Sequence, residues 1–185
     1  MDRKHFIKTG CCGLIALTAN SSLAELPNNK APDNATCDAN ELKFIQNWLS
    51  DLMETIDSEL DDSTKIKLMA GCGRGCFRRF QFKQDIAAKG KGSVEKLIEA
   101  YSSNFEVWRE GEDKVHIRYG AVNKNGCYCP AARYRQPRPM DIHCYCTRAT
   151  HETIWQTALG KTVKIDILQT VRRGDPTCHF LVHLA

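Results

Sequence analysis

The sequence predicts an α+β fold: helices come first, packed on a small antiparallel sheet, and a helix and a β-hairpin close the chain. Three observations predict it. Apolar residues recur at helical spacing through most of residues 41–108. In KVHIRY the period changes to two, because Val115, Ile117 and Tyr119 alternate with polar residues. The end of the chain, TVKIDILQTV, RRGDPT, CHFLVHL, reads as a strand, a turn and a returning strand.

The first helix runs from Glu41, with Leu42, Ile45, Leu49, Leu52, Met53, Ile56 and Leu60 on one buried stripe and Asp38 or Asn40 as its cap. Asp61, Asp62 and Ser63 break it and open a second, short helix carrying Ile66 and Met69. GCGRGC is expected to end that helix, since three glycines in five residues resist continuing it. FRRFQFKQDIAA resumes a helical pattern until GKG stops it. Ser93 caps a further amphipathic helix marked by Val94, Leu97, Ile98, Tyr101, Phe105 and Trp108. After KVHIRY and a cysteine-rich window, HETIWQTALGK is a helix with Ile154, Trp155, Ala158 and Leu159 on one face and Gly160 at its end. In the closing strands Val163, Ile165 and Ile167 share a side; Cys178, Phe180, Val182 and Leu184 share another, opposite His179, Leu181 and His183.

The expected organisation is an export signal over 1–24, a flexible arm over 25–40 and one α+β domain over 41–185. MDRKHFIK is basic, CCGLIALTA is a short apolar run, and Ser22 and Ala24 suit a small-residue cleavage site. The stretch Asp2 to Lys8 resembles a twin-arginine signal with Arg-Lys for Arg-Arg, which implies export to the periplasm or another extracytoplasmic space after folding around a cofactor. ELPNNKAPDNATCDAN is polar and rich in Pro and Asn, as a linker is. No apolar run reaches the roughly 18 residues that span a bilayer. A net charge of +4 is too small to argue for a nucleic-acid partner. G-x-S-x-G, P-loop, H-E-x-x-H and dinucleotide-binding patterns do not occur.

Cysteine carries the chemistry. Removal of residues 1–24 leaves eight of the ten cysteines. Four of them form two C-Y-C tripeptides, Cys127/Cys129 and Cys144/Cys146. On an extended chain residues i and i+2 point the same way, so two such pairs can supply four sulfurs to a zinc ion or an iron–sulfur cluster. Disulfides between the pairs are the competing reading in an oxidising compartment. Cys72 and Cys76, in CGRGC, are further candidate thiols. Arg74 beside them favours thiolate and can bind an anion. His143 adjoins Cys144 as a candidate ligand or proton shuttle. Arg133, Arg135 and Arg138 are weighed as anion binders or a solvated loop, Cys178 as a core thiol, and Cys37 as a free thiol or a staple.

The final GKTVKIDILQTVRRGDPTCHFLVHL resembles the closing hairpin of vinyl-4-reductase-type ligand-binding domains and of the related L-2-amino-thiazoline-4-carboxylic acid hydrolase-like proteins. Gly174, Asp175, Cys178 and Phe180 carry that resemblance. CGRGC, CYCP and CYCT resemble a cysteine-rich bacterial branch of the group. The resemblance implies a ligand cavity between helices and sheet. The expectation is therefore an exported protein that binds a metal or small ligand at a thiolate site of Cys127, Cys129, Cys144 and Cys146. A hydrolase or thiol-redox enzyme and a disulfide-stapled interaction protein are the alternatives.

Overall fold

The computed structural model describes residues 38–120, 126–129, 131–132 and 135–184. The expected signal, nearly all of the arm, Cys37 and Arg133 lie outside the described residues. The described chain begins with helices and ends in a β-hairpin, the α+β fold that the periodicity predicts.

Asp38 caps α1 (Ala39–Glu59): its carboxylate accepts from the backbone of Asn40 and Glu41, and the Glu41 carboxylate accepts from the Asp38 N–H. The stripe expected to be buried is covered only in part. Met53 is buried and Leu49 and Ile56 pack beside it against Met69 and Ile142, but Leu42, Ile45 and Leu52 are exposed, with Phe44 and Trp48. Asp61 caps α2 (Asp62–Arg79) through the Thr64 N–H and hydroxyl. This helix runs straight through GCGRGC, contrary to expectation. Its glycines are the reason: Gly73 and Gly75 are buried, and α2 lies along α5 (Cys144–Leu159) too closely at Gly73 for a side chain. Tertiary packing overrides the helix penalty of glycine.

Next come α3 (Gln81–Lys89) and α4 (Val94–Ser102), capped by Ser93. Here a second expectation fails. The helix ends at Ser102, and Trp108 lies on β1 (Glu106–Glu110). β1 pairs with β2 (Lys114–Arg118), β2 with β4 (His179–His183), and β4 with β3 (Lys164–Gln169), all antiparallel, in the order β1-β2-β4-β3. One face of the sheet buries Val115, Ile117, Ile165, Phe180 and Val182 against Trp155 and Ile154 of α5 and Leu97 and Tyr101 of α4. Each such aliphatic side chain contributes about 1.5–3 kcal/mol relative to exposure. The other face carries Trp108 stacked on His116, whose Nδ1 lies 2.9 Å from His179 Nε2. Among the described residues no helix is long and apolar enough to cross a membrane.

Candidate functional site

The second C-Y-C is not extended. Cys144, Tyr145 and Cys146 form the first turn of α5 instead of an extended segment. At about 100° per residue, helical positions i and i+2 point some 200° apart. Cys144 is accordingly buried on one side, near Cys178 and Cys127. Cys146 turns to the other side, towards α2, near Cys129, Cys76 and Cys72. The second C-Y-C therefore cannot present both thiols to one point while the helix stands.

The seven described cysteines are free thiols, and their charges act on one another as a band. It runs from Cys178 through Cys144 and Cys127 to Cys129, then to Cys146 and the α2 thiols. Burial pushes the Cys144 and Cys146 thiols up to about 12. For Cys146 the neighbouring Cys129, Cys76 and Cys72 add to the rise, and the Lys83 charge opposes it. Burial also raises Cys129 and Cys178. Cys72 is exposed; Cys76, Cys127, Cys129 and Cys146 are half-buried. Among the described residues no three His, Cys, Asp or Glu side chains stand at metal-binding separation.

Two nitrogen groups border the band. His143 Nε2 lies 3.1 Å from Cys129 Sγ, and burial lowers the His143 pKa to about 4. Lys83 Nζ, from α3, lies 2.9 Å from Cys76 Sγ. Nothing in the sequence singles out Lys83, because it sits seven residues from Cys76 across a helix break. Arg74 is exposed, and its charge opposes the rise that burial gives the Glu152 carboxyl of α5. Behind the band, His151 is held between two tyrosine hydroxyls, Tyr101 at 3.1 Å on Nδ1 and Tyr119 at 3.0 Å on Nε2. Burial lowers the His151 pKa to about 3, so the ring is neutral; one tyrosine donates to it and the other accepts. A surface hollow lined by Asn40, Glu41, Phe44 and Ile45 shares no residue with this band.

The model of a family of unknown function, DUF6144, matches residues 29–184. The chain belongs to this family. Among solved structures the DUF6144 chain is similar to the phenol-responsive sensory domain of the transcription activator PoxR with phenol, at 12% identity and TM-score 0.45, over 75% of this chain and 73% of that one. It is also similar to a vinyl-4-reductase family protein from Methanocaldococcus jannaschii, at 9% identity and TM-score 0.33, over 78% of this chain and 82% of that one. Neither likeness is close enough to transfer a ligand or a reaction. No curated protein matches the chain.

Proposed function

We propose that this is an exported small-ligand-binding domain whose ligand is a thiophilic metal, a zinc ion or an iron–sulfur cluster, held by Cys129 and Cys146 with Cys76 and Cys72. What supports the reading is that thiols from three separate parts of the fold, α2, α5 and the 126–129 segment, lie near enough to act on one another's charge, although among the described residues no three of them stand at metal-binding separation. Burial keeps Cys129 and Cys146 protonated in the metal-free chain. Metal binding would release their protons, and affinity would rise with pH. Cys127 and Cys144 belong to the same band, but Cys144 lies on the far side of α5 from Cys146. The basic and apolar segments of residues 1–24 support export.

The test is native mass spectrometry of the full chain from anaerobic cells, followed by the same sample denatured. Excess mass lost on denaturation is expected, with Cys129→Ser and Cys146→Ser losing metal and stability together while Cys144→Ser keeps metal. A native mass equal to the polypeptide less hydrogens means disulfides and overturns the reading; metal retained in both Cys129→Ser and Cys146→Ser does so too. A second reading, a thiol enzyme, rests on the Lys83 ammonium against Cys76. It requires Cys76 to alkylate much faster than Cys72 at neutral pH although Cys72 is the more exposed.

A further inference from the structure

The turn after β3 and the loop before α5 meet in a buried charge cluster that the thiol reading does not use. Arg172, 2% exposed, is fully engaged: Nε and Nη2 donate to Asp141 Oδ2 at 3.1 and 2.8 Å, and its other bonds go to the carbonyls of Ala132, Arg135 and Gln136. Arg135 beside it is not. Its side chain is 4% exposed, yet Nη2 lies 3.8 Å from Asp141 Oδ2, beyond hydrogen-bond distance. That oxygen is already taken by Arg172, and Asp141 Oδ1 accepts from the His143 N–H at 2.8 Å. Nε, Nη1 and Nη2 of Arg135 therefore have no hydrogen-bond partner among the described residues. Arg173 Nη2 and His143 Nδ1 are likewise buried and unpartnered there.

Two buried guanidinium groups thus share one buried carboxylate. A buried charge without a counter-charge is strongly destabilising, and buried donors almost always find acceptors. Arginine nitrogens are donors only, so what completes the cluster must accept several hydrogen bonds and carry negative charge. A cation is repelled by the same surplus.

We propose that Arg135 anchors a buried site for a small oxyanion, a carboxylate or a phosphate-type ion. The planar fork of its guanidinium suits two parallel bonds to such a group. One negative charge from the ligand balances the surplus that Asp141 leaves. The site adjoins the thiol band through His143 but does not depend on it.

The test is thermal unfolding of the full chain at pH 7 and fixed ionic strength, in sodium acetate, sodium phosphate or sodium chloride. Acetate or phosphate is expected to raise Tm in a saturable way, by about 5–10 °C at a hundredfold excess over Kd, with the larger shift naming the class of oxyanion. Arg135→Met loses that shift. Arg138→Met keeps it, because Arg138 pairs with Glu54 and Asp57 at the surface. Should Arg135→Met not fold, Arg135→Lys, which keeps the charge but not the fork, raises the half-saturating concentration at least about tenfold. Equal Tm in all three salts, or the same oxyanion shift and half-saturation in the Arg135 variants, overturns the proposal.

Discussion

Gly73→Ala tests the contact on which the thiol grouping depends. A Cβ at this position would stand 2.2 Å from the Cys146 carbonyl oxygen, 2.9 Å from Ala149 Cβ and 3.0 Å from the Thr150 nitrogen. None of these atoms is the far end of a flexible side chain, so α2 and α5 must move apart. The Thr150 hydroxyl, which lies 3.1 Å from the Gly73 carbonyl and 3.0 Å from that of Cys146, would lose one partner. Alanine gains about 1 kcal/mol in helix propensity. Against that, overpacking costs about 1–3 kcal/mol, more where backbone must shift, and the hydrogen bond adds about 1 kcal/mol. The expected net loss is about 2 kcal/mol, or a Tm drop of about 4–8 °C in a chain of this length. Gly71→Ala is the control. Its Cβ would meet nothing nearer than Arg74 Nη2 at 3.8 Å, so only the propensity gain remains and Tm should rise. Urea and thermal unfolding of both variants decide the matter. A Gly73→Ala protein as stable as Gly71→Ala would refute the close packing of α2 on α5.

Asp141→Asn removes the carboxylate from between Arg135 and Arg172, and a loss of about 3–5 kcal/mol in urea unfolding is expected; a loss below about 1 kcal/mol would show that the cluster is not buried as described. Stability should also fall with acid before the carboxylates titrate. His143 and His151 have folded pKa values lowered to about 4 and about 3, so the unfolded chain binds their protons first as pH drops through about 6.5. Their contribution is complete above that pH and is lost on the way down, by about 2 kcal/mol for each group at pH 5. Unfolding midpoints measured at pH 7, 6 and 5 check this, and a flat profile contradicts it.

Elements whose apolar pattern has one interpretation are legible in the sequence. In the closing hairpin Phe180, Val182 and Leu184 alternate with polar or half-exposed partners, and all three are buried together with Cys178. Asp38 and Ser93 cap the helices that the sequence assigns to them. Phe105 and Trp108 mislead because they extend the spacing of Leu97 and Tyr101, while the chain leaves the helix at Ser102 and pairs Trp108 with His116. Local spacing cannot register a strand partner. The role of Arg172 is hidden for a similar reason. RRGDPT reads only as a turn, and the buried ion pair of Arg172 is with Asp141, 31 residues earlier.

Identical in sequence, the two C-Y-C tripeptides differ in surroundings, because Cys146 sits in the first turn of a helix that lies against α2 and Cys129 sits in a loop beside His143. What brings Cys146 to Cys72 and Cys76 is Gly73, between the latter two, which lets the helices approach within reach of the Cys146 backbone. In the proposed thiolate site CGRGC and the second C-Y-C would act together, the small residue Gly73 on one helix admitting the backbone that carries Cys146 on the other. The proposed metal site then requires that two substitutions that share no chemistry, Gly73→Ala and Cys146→Ser, weaken zinc binding alike, the first by moving the proposed donors apart and the second by removing one. Titration with zinc in the presence of a competing chelator measures both. Weakening by Cys146→Ser with none by Gly73→Ala would mean that the thiols meet through loop motion and not through the packing of α2 on α5.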